Sequence, residues 1–362
     1  MLKLNDVASR ILRDDRRLLR FSPLLLASFM YRGAVNLRNH FYDAGIFHAR
    51  RMKCRVISVG NIIVGGTGKT PVVIMLASML NEHGYRPAIL SRGYGGKREG
   101  RAGVVSDGHD ILMGTDEAGD EPVLIADSLK DVPVIIGKER SLAGKLAVER
   151  FGTDVLILDD AFQHRRLSRD IDIVLLDSEK PFGNGFMLPR GGLREPGKSL
   201  QRADAIIFTS TEGSADPAAN NMPAVEIPQV PTFRGYRKAR KLVGGEAKDI
   251  LPLEYLKGKR ICAFSGIAKP DSFRKILEPL CGEITVFIPF PDHHVYTEND
   301  IEHILNACSQ SRAEIILTTE KDGIKLVEFP DFFRDIYRLK MEMEIIPSSL
   351  NFEEYILTRL ET

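Results

Sequence analysis

At 362 residues the chain can form two globular domains, and an apolar content of 43% supplies a core for each, which excludes a largely disordered protein. Lysine plus arginine (50) nearly balances aspartate plus glutamate (49), so the molecule as a whole has no general attraction for nucleic acid, and no nucleic-acid partner is expected. The four cysteines have no C-x-x-C spacing, which argues against a zinc site and a disulfide framework and favours a reduced, cytoplasmic compartment.

Residues 1–52 form a basic segment. Arginines surround an apolar run at 21–30 that contains Pro23 and has about half of the roughly 20 residues needed to cross a bilayer. The run also lacks a small-residue cleavage site of the kind that ends a secretory signal. We predict an N-terminal amphipathic helical segment that lies on a membrane surface without crossing it. A helix packed on the rest of the protein has the same pattern and remains the alternative.

Short apolar strands alternate with helical patterns from residue 55 onward. The alternation predicts an α/β fold in which a doubly wound parallel sheet is followed by a second, smaller α/β domain. A glycine-rich loop, described below, makes the first sheet P-loop NTPase-like. A helix is predicted at 70–83, with Pro71 in its first turn. Strands are predicted at 56–59, 88–90, 132–136, 155–158, 173–176 and 205–208.

Residues 211–234 carry no long periodic run and are rich in proline, glycine, serine and asparagine, so we predict a linker or domain edge there. The predicted domains are the N-terminal segment 1–52, a P-loop kinase domain at 53–235 and a C-terminal α/β domain at 236–362 that closes a cleft. The C-terminal domain is predicted to contain strands at 260–264, 284–288 and 314–318 and helices at 270–280 and 300–308.

The strongest motif is a glycine-rich loop between the first strand and the first helix of the α/β region. Glycines let consecutive backbone N–H groups surround a phosphate, while a lysine reaches the β and γ oxygens and a threonine hydroxyl binds Mg²⁺. The strict pattern has a glycine where Ile63 stands, so the loop is a variant. We predict an ATP site that uses Mg²⁺, formed by Gly65, Gly66, Thr67, Gly68, Lys69 and Thr70.

Two carboxylates end the apolar strand at 155–158. Asp159 and Asp160 follow it directly, and in an open parallel sheet such residues lie at the edge where ligands bind. An acidic loop after a strand is common as a purely structural feature, but beside a P-loop it can hold or orient Mg²⁺. We therefore predict that at least one of the two takes part in metal binding.

Two polar loops at the same edge carry arginines. Gln163 and His164 follow the paired aspartates, and a loop at 188–196 contains Arg190, Arg194 and Glu195. Arginines bind phosphate bidentately, and a glutamate can join a metal shell. A solvated basic loop without a role in binding is the alternative.

A kinase also needs a group that orients or deprotonates the acceptor hydroxyl. The candidates are Asp120 in the segment 119–122 and His293 in the segment 292–294. They lie on different predicted domains, so only a cleft can bring them together. The alternative for each is a helix cap or a loop hydrogen bond. The segment 318–322, after the last strong strand, is predicted to cap a helix.

These motifs occur together in one known family. The chain resembles tetraacyldisaccharide 4'-kinase, which phosphorylates the lipid A precursor disaccharide, and the resemblance covers nearly the whole chain. Ala161 stands where a glycine is frequent in the family, a departure that should not touch the chemistry. The motifs that carry the resemblance are 59–61, 65–71, 91–95, 119–122, 159–164, 188–196, 292–293 and 318–322.

The resemblance implies transfer of the γ-phosphate of ATP to the 4'-hydroxyl of a tetraacyldisaccharide 1-phosphate, giving lipid IVA and ADP. It implies a peripheral location at the cytoplasmic side of the inner membrane; the oligomeric state stays open, with a monomer expected. The implied roles are catalysis by Asp120, His293, Lys69 and Asp159; nucleotide binding by Gly65, Gly66, Thr67, Gly68, Lys69, Thr70, Gln163 and His164; Mg²⁺ binding by Thr70, Asp159, Asp160 and Glu195; and substrate binding by Arg92, Arg190 and Arg194.

Two other functions are compatible with a P-loop. A nucleotide switch or ATPase that acts on a protein partner would carry a signature lysine just before the paired glycines, where this chain has Val64. A soluble small-molecule P-loop kinase would not need the basic, apolar N-terminal segment.

Overall fold

The computed structural model describes residues 23–211, 227–245, 250–346 and 350–361. Its helices are α1 (Pro23–Asp43), α2 (Lys69–Glu82), α3 (Thr115–Ala118), α4 (Asp120–Ser128), α5 (Arg140–Phe151), α6 (Pro270–Leu277), α7 (Glu298–Gln310), α8 (Glu320–Gly323), α9 (Pro330–Arg334) and α10 (Phe352–Glu361). Its strands are β1 (Arg55–Asn61), β2 (Pro87–Ser91), β3 (Gly103–Ser106), β4 (Val134–Ile136), β5 (Val155–Asp159), β6 (Ile171–Asp177), β7 (Ala205–Thr211), β8 (Thr232–Gly244), β9 (Ile250–Pro252), β10 (Arg260–Ser265), β11 (Glu283–Pro289), β12 (Ile315–Thr319) and β13 (Ile336–Ile345).

One continuous sheet of thirteen strands runs through the described residues. Its order is β11-β10-β12-β13-β8-β7-β6-β1-β5-β2-β4-β3, with β9 paired to β8. The strands from β8 to β4 in this order are parallel to one another, and so are the four from β11 to β13. β13 runs antiparallel to β8 and joins the two parallel groups. The fold is therefore the predicted α/β type, with two parallel units joined at one antiparallel pair.

The predicted boundary at 235/236 falls inside β8. This strand pairs with β7 on one side and with β13 on the other, so the sheet has no break at that point. Residues 212–226 of the predicted linker lie outside the described residues. The chain also returns to the first unit at its end, because Phe352, Ile356 and Leu360 of α10 are buried in the core that contains β1 and α2. The last helix thus belongs to the parallel unit that contains β1 and α2, which is called the P-loop unit below.

The predicted strand, loop and helix at the start of the α/β region are present as β1 and α2. All residues of β1 after Arg55 are buried. On α2, Val72, Leu76 and Leu80 are fully buried and share one helix face. Burial of each such side chain contributes about 1.5–3 kcal/mol. This packing fixes the N-terminus of α2 next to the end of β1.

Helix α1 packs on the P-loop unit through one face. Ser28, Val35 and Asn39 are buried there. The described residues contain no helix that is long and apolar enough to cross a membrane. The predicted arginines and apolar residues before Pro23 lie outside the described residues. The opposite face of α1 exposes large apolar side chains, which are Leu26, Phe29, Met30 and Leu37.

The structure corrects the expectation drawn from cysteine spacing. Cys262 on β10 and Cys308 on α7 form a disulfide. The two residues are 46 positions apart, so their pairing depends on how α7 packs against β10, which spacing along the chain does not reveal. Cys54 and Cys281 are free thiols.

Candidate functional site

The loop between β1 and α2 has the backbone geometry of a phosphate cradle. Gly65 and Gly68 adopt φ angles of 123° and 80°, which glycine takes without the steric cost that a side chain would add. Gly68 is the N-cap of α2, and no described side chain caps this first turn. The backbone N–H groups in the first turn of α2 therefore face the loop and are available to an anion.

Hydrogen bonds hold this loop against two strands. Asn61 at the end of β1 donates its amide to the Thr67 hydroxyl at 2.8 Å. The hydroxyl of Thr209 on β7 donates to the Thr67 carbonyl at 2.9 Å. Lys69 directs its ammonium to Asp160, with 3.7 Å between Nζ and Oδ1. The loop is thus positioned before a nucleotide binds.

Asp159 ends β5 in an almost fully buried position. Its Oδ2 accepts a hydrogen bond from Ser91 at 3.1 Å, while its Oδ1 is buried without a hydrogen-bond partner among the described residues. Burial, together with the carboxylates of Glu121 and Asp160, raises the pKa of Asp159 to about 7. A buried carboxylate oxygen without a partner indicates a place where a cation or donor belongs.

Asp160 has the opposite environment. Arg194 binds both of its carboxylate oxygens, at 3.0 and 2.6 Å, and Lys69 lies nearby. Burial acts to raise the pKa of Asp160, but Lys69 and Arg194 outweigh it and hold the pKa below its ordinary value. The backbone of Asp160 is in the left-handed region with φ 49°, a strained conformation that is common at functional sites.

The residues at the end of β5 fit Mg²⁺. Asp159 supplies the buried, unpartnered oxygen, and Asp160 and Thr70 line the same cleft with hard oxygen donors. In the described part of the chain no group of three or more His, Cys, Asp or Glu is arranged to hold a metal. The protein therefore provides a partial shell, as in sites where Mg²⁺ is held together with nucleotide phosphates.

Glu195 does not have the predicted place in that shell. It is fully buried, and its carboxylate accepts hydrogen bonds from Arg38 at 2.8 Å, Asn39 at 3.0 Å and Arg202 at 2.9 Å. Because neighbouring side chains in this loop point to opposite sides, Arg194 faces Asp160 while Glu195 faces α1. The prediction of a metal ligand at Glu195 is wrong in this geometry.

Arg190 also lies outside the cleft. Its guanidinium stacks on the Phe186 ring, 3.7 Å from the ring centroid. Arg190 is therefore separate from Arg92 and Arg194, the other two arginines predicted to bind substrate. Arg92 lines the cleft and pairs with Glu99 at 3.0 Å, and Arg194 lines it as the partner of Asp160.

Gln163 and His164 line the cleft as predicted. Gln163 donates to the Asn61 carbonyl at 2.7 Å, which connects its loop to the start of the P-loop. Burial, together with the nearby cations Arg140 and Arg169, lowers the pKa of His164 to about 4. His164 is therefore a neutral imidazole at pH 7, able to exchange hydrogen bonds with a nucleotide without adding charge.

Sequence reasoning missed Arg140 and Glu121. Arg140 begins α5, is 3% exposed, donates to the Gly137 carbonyl and lines the cleft beside Asp159. Burial lowers its pKa to about 10, so it remains a cation. Glu121 lines the cleft one position after Asp120. The available signal for Arg140 was its place shortly after β4 at the ligand-binding edge, which many surface residues share, and the signal for Glu121 was its place next to the candidate Asp120.

Asp120 and His293 meet across the cleft. His293 Nδ1 lies 3.1 Å from Asp120 Oδ2, although the two residues come from different parallel units of the sheet. Asp120 begins α4 directly after Gly119, whose φ is 86° and whose absent Cβ would lie 2.4 Å from the Tyr94 carbonyl oxygen. His293 has φ 57°. The expectation that the fold brings the pair together is confirmed.

Two lysines complete this pair and were not predicted. Lys321 Nζ lies 3.2 Å from His293 Nε2, and Lys325 Nζ lies 3.8 Å from Asp120 Oδ2. An ammonium group only donates hydrogen bonds, so Nε2 is the acceptor and Nδ1 carries the proton that it donates to Asp120. Burial acts to raise the pKa of Asp120, but the His293 hydrogen bond and Lys325 lower it overall. Asp120 is ionised at pH 7.

The segment 318–322 caps a helix, as predicted. The Thr319 side chain accepts from the Asp322 backbone N–H at 3.1 Å. The same segment delivers Lys321 to the cleft, so one short sequence both begins α8 and supplies a charged group. Its position after a strand was the signal for the second role.

Most of these groups line one cavity of about 1600 Å³. Asp120 is not part of the lining but contacts His293, which is. A typical small-molecule site has about 300–1,000 Å³, so this one has room for a nucleotide and a second substrate. Its lining includes Gly65, Gly66, Thr67, Gly68, Lys69, Thr70, Arg92, Glu121, Arg140, Asp159, Asp160, Gln163, His164, Arg194, His293 and Lys321.

The sequence profile of a family described as tetraacyldisaccharide-1-P 4'-kinase matches residues 21–361. The chain belongs to this family. The tetraacyldisaccharide 4'-kinase of Syntrophus aciditrophicus is 50% identical over 343 residues, which cover 92% of this chain and 91% of that protein. The tetraacyldisaccharide 4'-kinase of Desulfatibacillum aliphaticivorans is 39% identical over 352 residues, which cover 96% of this chain and 95% of that protein.

A solved structure supports the same relationship. The crystal structure of LpxK from Aquifex aeolicus in complex with ATP is similar with a TM-score of 0.76 and 34% identity, over 93% of this chain and 97% of that one. This tetraacyldisaccharide 4'-kinase family member is therefore an ATP-dependent phosphotransferase with the P-loop kinase fold.

Proposed function

We propose that the protein transfers the γ-phosphate of ATP to the 4'-hydroxyl of a tetraacyldisaccharide 1-phosphate, the lipid A precursor, and releases lipid IVA and ADP. The observation that carries the proposal is the Asp120–His293 pair, because it provides an ionised carboxylate, oriented by an imidazole that lines the nucleotide cleft, to receive the proton of an acceptor hydroxyl. The relatives named above carry the same activity in their names.

On the nucleotide side, the glycine loop and the first turn of α2 bind the β- and γ-phosphates. Lys69 shifts from Asp160 to the transferring phosphoryl group, and Arg194 and Arg140 add positive charge where negative charge develops. Asp159, Asp160 and Thr70 are the residues that would hold Mg²⁺, which when bound neutralises phosphate charge and orients the γ-phosphate.

On the acceptor side, Asp120 receives the hydrogen bond of the sugar hydroxyl and takes its proton during transfer. His293 orients the Asp120 carboxylate through Nδ1, and Lys321 fixes the tautomer that makes this possible. The low pKa of Asp120 means that the carboxylate acts mainly by alignment and by stabilising charge in the transition state, where the hydroxyl becomes more acidic.

For its location, we place the protein as a peripheral protein on the cytoplasmic side of the inner membrane, where an acylated substrate resides. The support is the exposed apolar face of α1 opposite the face that packs on the P-loop unit. An amphipathic helix of this kind binds at the interface of a bilayer without spanning it.

Acceptor dependence of ATP turnover tests the proposed function. The purified full chain is assayed for ADP release with MgATP in detergent micelles, with and without tetraacyldisaccharide 1-phosphate. The proposal predicts that ADP release requires the lipid and equals the amount of phosphorylated lipid. ATP turnover that ignores the lipid and responds to a protein partner instead would favour a switch-type ATPase, and a folded protein that makes no phosphorylated lipid would exclude the proposal.

A further inference from the structure

Helix α1 contacts the loop that carries Arg194 at several points. The Ser28 hydroxyl donates to the Met187 carbonyl at 2.8 Å, and the Tyr31 hydroxyl donates to the Arg194 carbonyl at 3.2 Å. About two turns after Tyr31, Arg38 and Asn39 donate to the Glu195 carboxylate at 2.8 and 3.0 Å. A helix that only attached the protein to a membrane would not need polar contacts to this loop.

The contacts at Glu195 are buried and charged. Glu195 is fully buried and Asn39 is 8% exposed, with Arg202 as the third donor to the carboxylate. Removal of one partner from a buried carboxylate leaves charge without compensation, so such a cluster has one preferred arrangement. Burial acts to raise the pKa of Glu195, but Arg202 and Arg38 lower it, so the carboxylate is ionised.

Arg194 connects the Glu195 cluster to the phosphate site. Its side chain binds both oxygens of Asp160 and the side chain of Asn61, which in turn donates to Thr67 of the P-loop. Its backbone N–H donates to the Ile62 carbonyl at 2.8 Å. Glu195, held by α1, is thus one peptide unit from a residue that contacts the metal-binding carboxylate and the P-loop.

A second loop of the site is held by the same helix. Arg165, two positions after Gln163, donates to the Asn39 carbonyl at 3.0 Å and to the Asp43 carboxylate at 2.7 Å. Its guanidinium also lies over the Tyr42 ring, 4.9 Å from the centroid. Asn39 therefore contacts both loops, one through its side chain and one through its carbonyl.

We propose that α1 is a positioning element of the kinase site, in which Arg38 and Asn39 hold Glu195 and thereby set Arg194 against Asp160. The inference rests on the proposed function and adds that the helix is needed for turnover even where no membrane is present. One face of α1 then contacts lipid, and the opposite face aligns the phosphate site.

The test compares two asparagines on α1. Asn39→Ala removes a donor to Glu195, and Asn36→Ala is the matched control, because Asn36 is exposed on the same helix. In detergent micelles we expect Asn39→Ala to lower kcat about tenfold with KM for the lipid changed less than about twofold. Asn36→Ala keeps the wild-type values. Arg38→Gln lowers kcat in the same way, and Arg38→Lys restores part of it.

Amide hydrogen exchange provides a readout that does not depend on activity. In Asn39→Ala we expect faster exchange in residues 187–195 and in the loop 163–166, with exchange in α2 unchanged. A lower melting temperature with wild-type kcat and unchanged exchange in these loops would overturn the proposal and leave α1 as a structural support. If the wild-type protein shows no lipid-dependent turnover, the proposed function fails, while the exchange measurement still decides whether α1 holds the two loops.

Discussion

Asp159 and Asp160 are adjacent in sequence but lie in opposite electrostatic environments. Asp159 has a buried, unpartnered oxygen and a raised pKa, whereas Asp160 is bound by Arg194 and Lys69 and has a lowered pKa. Their place at the end of an apolar strand was visible in the sequence. The difference between their environments was not visible in the sequence, because it depends on Ser91, Glu121 and Arg194, which come from three other segments.

Asp120→Ala tests the acceptor side at the residue scale. Because the described contacts of Asp120 are with His293 and Lys325 and not with the glycine-rich loop, we expect kcat to fall about 10²–10⁴-fold with little change in ATP affinity. Steady-state kinetics and binding of a fluorescent ATP analogue measure the two effects. Loss of nucleotide binding would instead place Asp120 in the ATP site.

The acid limb of the pH–rate profile tests the charge next to Asp120. The ammonium of Lys325 favours the ionised carboxylate and lowers the pKa of Asp120. Lys325→Met removes this charge, so the pKa of Asp120 rises, the carboxylate is protonated at higher pH, and the acid limb of kcat/KM moves to higher pH. Lys325→Arg keeps the charge and is the control. An acid limb that stays in place in the methionine variant would contradict the assignment.

At the scale of elements, α1 has two faces with different contacts. Ser28, Val35 and Asn39 pack on the P-loop unit, while Phe29 and Met30 are exposed. The amphipathic pattern predicted a surface helix, but the pattern alone left membrane and protein as alternatives, and the described contacts show that one face packs on protein. The polar contacts to Glu195 had no sequence signal, because a carboxylate at a sheet edge can point to either side.

The exposed face of α1 has its own prediction. Phe29→Ser combined with Met30→Ser removes two apolar side chains that are 59% and 70% exposed, and we expect affinity for vesicles that contain anionic lipid to fall about tenfold or more. Co-sedimentation with vesicles measures it, with Asn36→Ser as the control. Vesicle binding equal to that of the wild type would contradict a membrane role for this face.

The C-terminal helix α10 offers a stability test. Ile356 is fully buried in the core of the P-loop unit, although it lies more than a hundred residues after the predicted end of that unit. We expect Ile356→Ala to lower the free energy of unfolding by about 2–5 kcal/mol in denaturant titrations. Glu354→Ala on the exposed face of the same helix is the control and should change it by less than about 0.5 kcal/mol. Equal effects would contradict the assignment of α10 to this core.

At the scale of the whole molecule, the site exists because two parallel units of one sheet form a single cleft. Apolar runs predicted the central strands well, since strands buried on both faces are continuously apolar. β8 and β13, which join the units, were not predicted, because charged residues interrupt their apolar pattern. Their charges pair across the strands, as in Arg240 with Glu342 and Glu344, and such pairing is invisible in either strand alone.

The direct test of the account is the position of the transferred phosphate. The full chain is incubated with ATP labelled in the γ-phosphate and with tetraacyldisaccharide 1-phosphate, and the lipid product is then treated with mild acid, which removes the anomeric 1-phosphate and leaves a phosphomonoester of a secondary hydroxyl intact. We predict that the label enters the lipid and remains on the distal sugar after acid treatment. Label found only in inorganic phosphate, or lost from the lipid with the anomeric phosphate, would contradict the account.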